Sequence, residues 1–368
     1  MNIETLKGLA REIEVKDNGI LLKTEGVGAA QYAFYLNYSG SIKKSSYSGS
    51  TSHFFENMNR AGCYIASFYY KKGIERILIN VVFLLEHNGV VRIVKKIELA
   101  SNDKFKIDYY DNKSDTTFIV FNGTKSKLTS SPFGLQFLLK SGYNVIACLQ
   151  NDDQYQNLSF DDFKRCVEPI TLNKKIFLYG ASLGGYCALY YAGAVNGNVI
   201  ASAPKNSAHP KLIEAAKGKT RFKDKDFKHT ELTANPISQG RIYIFIDPYQ
   251  KFDVFFLNEW AKPAYPNLKL LKFEYAGHKV LMHVNRTKQL KKILDNIVND
   301  ADDLEIDFSK ESIYTDVNRA IYFYQNKQLE QALFFANRAL ESAVEGEIEN
   351  NVRIELEAIR ETASDLRT

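Results

Sequence analysis

The stretch Ile176-Phe177-Leu178-Tyr179-Gly180-Ala181-Ser182-Leu183-Gly184-Gly185-Tyr186, running on to Ala192, constrains the fold of this chain more than any other segment. A short apolar run, a serine between glycines and an Ala-rich helical pattern follow one another without a spacer. They predict a strand, a sharp turn and a helix. A serine at such a turn projects its hydroxyl away from both elements. The glycines two before and two after it remove side chains that would collide where strand and helix nearly touch. By itself the five-residue match is a weak signal, and a glycine-rich turn with a bystander serine is its plain alternative. The buried-strand character of Ile176–Tyr179 and the helical spacing of Tyr186–Ala194 give it context.

A nucleophile at this turn calls for an acid and a histidine later in the chain, in that order. Arg241 to Ile246 is apolar, β-branched and aromatic, and it ends in Asp247-Pro248. Leu268 to Tyr275 alternates Leu, Phe and Tyr with Lys and Glu and runs into Ala276-Gly277-His278. Both residues therefore fall just beyond the carboxyl end of a strand, where open α/β sheets place their chemistry. Asp253 competes for the acid from the same loop, although its position before Val254-Phe255-Phe256-Leu257 also suits a helix N-cap. Asp247 is preferred because it comes directly off the strand. His283 competes with His278, but Val280-Leu281-Met282-His283-Val284 predicts an ordinary helical residue. His53, His87, His209 and His229 have no motif around them.

The order of elements agrees with this reading. Strands at 117–121, 144–149, 176–180 and 198–202 alternate with helices at 132–140, 159–168 and 184–194, as a doubly wound parallel α/β sheet requires. Over about residues 113–300 the chain resembles the α/β-hydrolase superfamily. Within it the chain looks most like bacterial esterases and O-acetyltransferases acting on capsule or other surface glycans, including the acetyltransferase-like component of the accessory Sec system. The resemblance implies a carbohydrate substrate, no tightly bound cofactor and acetyl-CoA as a candidate acyl donor. Ser182 would attack an acyl carbonyl, His278 would take its proton, and Asp247 would orient the imidazole. The backbone N–H of Leu183 is one expected oxyanion donor, and Gly123 or Thr124, in the loop after strand 117–121, is the other. Gly123 would allow a close backbone approach. The second function class is a non-catalytic scaffold in glycan assembly or secretion, for which an intact triad has no use.

Length sets the number of domains: 368 residues exceed what one core supports. Residues 1–110 are expected to form an all-β sandwich of immunoglobulin-like size, from tyrosine-, phenylalanine- and valine-rich segments at Ala30–Tyr38, Cys63–Tyr70, Ile77–Leu85 and Val90–Leu99. One face of alternating aromatics, Tyr32, Phe34, Leu36 and Tyr38, could meet sugar rings, but alternating aromatics in strands are usually core. Asp108–Asp115 is the expected linker and 111–300 the catalytic domain. In 301–368, Ile313–Ser342 is helical in period and resembles a single tetratricopeptide-like pair. One such unit must dock, either on the catalytic domain or on a second subunit in a homo-oligomer.

Other classes are excluded by what the chain lacks. A net charge of +5 over 368 residues is too small to argue for nucleic acid. The basic stretch Lys217–Lys228 falls where such folds insert a substrate loop, and it would suit an anionic glycan or the phosphates of coenzyme A. Cys63, Cys148, Cys166 and Cys187 never approach metal-ligand spacing, and His278 with His283 is one residue too wide for a helical ligand pair, so no metal is expected. Dispersed cysteines, a charged start without an apolar core and the lack of any apolar run of about 20 residues predict a cytoplasmic location without a membrane span.

Overall fold

Tyrosine, phenylalanine and β-branched residues recurring along the strands between Arg11 and Ile93 make this part of the chain a two-layer β structure. A computed structural model describes residues 9–28, 30–217, 227–344 and 348–365. One layer pairs β1 (Arg11–Lys16), β2 (Gly19–Thr24) and β5 (Ser52–Glu56). The other runs in the order β4 (Ser41–Lys44), β3 (Gln31–Tyr38), β6 (Gly62–Lys72), β7 (Glu75–Leu85) and β8 (Val91–Ile93). All neighbours are antiparallel. Tyr32, Phe34 and Leu36 face inward with Tyr64, Phe68 and Tyr70, so this aromatic row is the core of the sandwich and not a sugar-binding face.

The central body is one sheet of eight strands. Six are parallel: β11 (Thr116–Phe121), β12 (Asn144–Gln150), β13 (Lys175–Ala181), β14 (Asn198–Ser202), β15 (Ile242–Ile246) and β16 (Lys269–Lys272). Two antiparallel strands, β9 (Lys95–Ser101) and β10 (Phe105–Asp111), extend it beyond β12, giving the order β16-β15-β14-β13-β11-β12-β10-β9. The expected boundary near residue 110 is therefore corrected. Residues 95–111 belong to the central sheet because Ile107, Tyr109 and Tyr110 bury one side each against its two faces. The two bodies share apolar packing, since Cys63, Val82 and Leu84 of the sandwich join the same core as Phe118, Leu138 and Phe177. β9 is the free edge on this side, its exposed Lys96 paired with Asp108 at 2.8 Å and its exposed Glu98 with Lys106 at 2.8 Å.

Helices cover both faces of the sheet. They are α1 (Leu135–Lys140), α2 (Phe160–Thr171), α3 (Leu183–Val195), α4 (Pro210–Ala215), α5 (Lys251–Phe256), α6 (Val280–Arg286) and α7 (Leu290–Val298). α5 is prolonged by a π-helical turn at Leu257–Ala261 and by Lys262–Ala264. α1 begins three residues later than expected, because Gly134 at φ 65° ends the preceding turn. Three helices follow rather than one pair: α8 (Ile313–Gln325), α9 (Leu329–Ser342) and α10 (Asn350–Asp365). Ala320, Ala332 and Ala336 let them approach closely, and Leu356 and Ile359 complete their core. They dock on the central body. His283 of α6 meets Ser312 Oγ at 2.9 Å, Lys279 pairs with Glu349, and Tyr249, Tyr275 and Tyr322 cluster with ring centroids 4.4 to 5.4 Å apart.

Two histidines lie inside this body as neutral rings. His229 stacks on Tyr190 of α3, accepts from the Tyr186 hydroxyl at Nδ1 at 3.0 Å, and donates from Nε2 to the Tyr155 carbonyl at 2.8 Å. His209 packs on Phe227 and Trp260. Burial lowers each to about 4. The unfolded chain binds these protons below about pH 6.5 and the folded one only near 4, so this stability is present above 6.5 and lost as pH falls towards 4. Each ring then removes up to about 1.4 kcal/mol per pH unit in that window. Urea midpoints should be clearly lower at pH 5 than at pH 7. Equal midpoints would mean that the rings are charged in the fold.

Candidate active site

Ser182 sits between β13 and α3 at φ 55°, ψ −118°, a conformation rare for any residue with a side chain. Backbone bonds hold it there. Its N–H donates to Ser202 at 2.9 Å, and its carbonyl accepts from Tyr186 at 3.0 Å and from Lys205 at 3.2 Å. The flanking glycines are sterically required: a methyl on Gly180 would collide with the backbone of Gly184, and one on Gly184 with the carbonyl of Phe121. The turn thus wedges α3 against both β13 and β11, leaving the Ser182 hydroxyl partly exposed at the carboxyl ends of the strands.

His278 Nε2 accepts from Ser182 Oγ at 2.9 Å, and His278 Nδ1 donates to Asp253 Oδ2 at 2.7 Å. Both bonds are met by the Nδ1–H tautomer of the neutral ring. The acid beside the histidine is therefore Asp253, and the preference for Asp247 is corrected. Asp253 lies in the first turn of α5, which folds back over the strand ends and carries the carboxylate to the imidazole. It is 1% exposed. Burial pushes its carboxyl up, but the hydrogen bonds and charges of His278 and Lys205 outweigh that and hold it below the usual carboxylate range.

Asp247 does different work. Fully buried, it accepts from the N–H groups of Tyr249 at 2.9 Å, Tyr275 at 3.2 Å and Gly277 at 2.7 Å. Burial raises its carboxyl above the ordinary value, partly opposed by those three donors. It clamps the loop on which His278 rides. Tyr275 at φ 59° and Gly277 at φ 72° bend that loop, and a side chain at Gly277 would run into Asn318 of α8.

Leu183 opens α3, so its N–H is among the helix donors without an intrahelical acceptor and stands next to Ser182. Phe121 pairs with Gly180 in register, so Gly123 and Ser182, two residues beyond each, leave neighbouring strands at the same level. The Gly123 carbonyl is tied down by Ser126 Oγ at 2.8 Å and Gln150 Nε2 at 3.2 Å, and Asn122 braces the loop through Ser131 and Phe133. Among the described residues nothing lies within 4 Å of where a Cβ of Gly123 would stand, beyond its own chain neighbours. Thr124 follows in the same loop. The stretch Lys217–Lys228 falls largely outside the described residues, including Lys219, Arg221 and Lys223. Among the described residues no group of three or more His, Cys, Asp or Glu is placed to hold a metal ion, and no helix is long and apolar enough to cross a membrane.

Sequence reasoning missed Lys205. Its Nζ donates to Asp253 Oδ1 at 2.8 Å and lies 3.5 Å from His278 Nδ1. The signal was available, because Lys205 follows β14 by three residues at the reactive end of the sheet. Beyond it a cavity of about 300 Å³ separates the central body from the C-terminal helices, lined by Tyr249, Tyr275 and Tyr322 together with Gln250, Asn318 and Gln325.

The sheet order, the turn at Ser182 and the succession of serine, acid and histidine give the central body an α/β-hydrolase-like fold. No protein-family model matches the chain, and no curated protein does. Among solved structures 31 chains match. A predicted CIB-like hydrolase from Thermoplasma acidophilum is similar at 14% identity over 56% of this chain and 98% of its own, with a TM-score of 0.34. Est1E from Butyrivibrio proteoclasticus is similar at 13% identity over 55% and 98%, with a TM-score of 0.36. An α/β serine hydrolase without lid from Xanthomonas campestris is similar at 15% identity over 51% and 87%, with a TM-score of 0.32.

Proposed function

We propose that this protein is a serine-dependent acyl-transfer enzyme acting on a carbohydrate, an O-acetyl esterase or O-acetyltransferase of a bacterial surface glycan. The observation that carries the reading is the unbroken chain from Ser182 Oγ through His278 to Asp253, at 2.9 and 2.7 Å. In the first half-reaction Ser182 Oγ bonds to the acyl carbon while its proton passes to His278 Nε2. The imidazolium is steadied by Asp253. The N–H groups of Leu183 and of Gly123 or Thr124 receive the oxyanion, which collapses as the leaving oxygen of an ester, or the leaving sulfur of a thioester, takes the proton from Nε2. In the second half-reaction water or a sugar hydroxyl attacks the acyl carbon and gives its proton to Nε2, and the C–O bond to Ser182 then breaks as Oγ takes that proton back.

The carbohydrate part of the proposal is supported by the cavity beside the triad. Its amide, charged and tyrosine side chains offer hydrogen-bonding groups to a hydroxylated ligand, while Tyr249 and Tyr275 are stacked on each other. Acetyl-CoA is the proposed donor for the transferase case.

A fluorophosphonate probe with peptide mapping tests the reading directly, and the label should sit on Ser182. Turnover of p-nitrophenyl acetate should accompany it, and adding acetyl-CoA with candidate polysaccharides should show whether acetyl moves to sugar or only to water. Labelling elsewhere, or none, would favour the scaffold class.

A further inference from the structure

We infer that Lys205 is a positioning residue of the triad, whose ammonium fixes the Asp253 carboxylate against His278 and shares its charge. This rests on the serine acyl-transfer reading of the site and deepens it. Lys205 reaches both ends of the machinery: its backbone N–H holds the Ser182 carbonyl at 3.2 Å, while its Nζ donates to Asp253 Oδ1 at 2.8 Å. The other carboxylate oxygen, Oδ2, takes the proton of His278 Nδ1 at 2.7 Å. With one oxygen assigned to each partner, the carboxylate cannot turn about its own axis without breaking a charge-assisted bond.

Such a device is needed because of where the acid sits. Asp247, at the end of β15, is held by three backbone N–H groups. Asp253 projects instead from the first turn of a short helix, and Lys205 supplies the fixing contact. The pair is well shielded, with side-chain exposures of 19% for Lys205 and 1% for Asp253, so its attraction is weakly screened.

The same contact has a cost for proton transfer. A cation that shares the carboxylate leaves less of its charge for the imidazolium that forms, so fixed orientation comes with a weaker hold on that ring. The cavity beyond Lys205 is also lined by Asp247 and Tyr249 of the loop after β15, Lys251 of α5, Tyr275 of the histidine loop, and Tyr322 and Glu355 of the C-terminal helices. The Asp247 carboxylate is already occupied by its three backbone donors.

The full-length protein, Lys205→Met and Lys205→Arg are compared by p-nitrophenyl acetate kinetics across pH, each alone and with Asp253→Asn. Lys205→Met should lower kcat roughly 30-fold with KM within about twofold, because orientation and not binding is lost. Lys205→Arg should recover to within about threefold of wild type, and on the Asp253→Asn background Lys205→Met should cost less than about twofold. If Lys205→Met does not fold, Lys205→Gln replaces it in the same comparison. A neutral variant within twofold of wild type, or one whose loss persists undiminished beside Asp253→Asn, overturns the inference. A wild-type protein that neither labels nor turns over overturns the acyl-transfer reading and takes this inference with it.

Discussion

Asp253→Asn should reduce kcat on p-nitrophenyl acetate by about four orders of magnitude, while Asp247→Asn should stay within about tenfold of wild type. The asymmetry follows from what each carboxylate touches. Asp253 accepts from His278 Nδ1, so an amide there offers the ring a donor as readily as an acceptor and favours the tautomer that cannot take the Ser182 proton. Four orders of magnitude correspond to about 5.5 kcal/mol of lost transition-state stabilisation. Asp247 contacts backbone N–H groups only, and an asparagine keeps one oxygen for them. Its cost should appear as about 1–3 kcal/mol of stability, seen in the urea midpoint, because one buried N–H loses its partner. If the two variants exchange these behaviours, the geometry of the α5 turn is wrong and the strand-end aspartate is the acid.

A methyl group added at Gly184 should destabilise the central body by about 3 kcal/mol or more, lowering its melting temperature by roughly 10 °C. The collision is with the Phe121 carbonyl, a backbone atom of the neighbouring parallel strand, so no rotamer change relieves it. α3 would have to lift away from β11, opening the core formed by Phe121, Tyr191 and Phe163. Alanine at Gly123, where nothing stands within 4 Å of the added carbon, should leave the melting temperature within a degree or two. Thermal melts of the two variants side by side check both statements. A Gly184→Ala protein as stable as wild type would show that the turn is looser than its contacts imply.

The readable parts of the sequence were those in which a local pattern and a long-range consequence agree. Ile176–Tyr179 is apolar because β13 is buried on both faces, and Gly180 and Gly184 are glycines because two other backbones lie against them. Both facts are visible at the level of residue types. His278 was legible because the apolar alternation before it marks a strand, although β16 ends at Lys272 and five residues of loop intervene. Asp253 was misassigned because its place depends on the path of the chain after β15: a tight turn into α5 moves the sixth residue past Asp247 over the strand ends, and periodicity carries no record of such a path. The boundary near residue 110 failed for a related reason. β9 and β10 alternate like sandwich strands, and only their pairing with β12 assigns them to the other body. The third C-terminal helix escaped notice because its sequence is dominated by charge, with few inward residues such as Leu356 and Ile359.

The two ends of the eight-stranded sheet have a consequence for self-association. Every sheet edge offers a row of unpaired N–H and C=O groups on which another chain can add. Here β9 presents Lys95, Lys96 and Glu98 to solvent, and the far edge, β16, is four residues long and begins and ends in exposed lysines. A second copy adding in register to β16 would set lysine against lysine, and one adding to β9 would have to desolvate Lys95, Lys96 and Glu98 along the new ladder. Growth of the sheet from one molecule into the next is thus discouraged at both ends, which protects a long, mostly apolar set of strands from aggregation by strand addition.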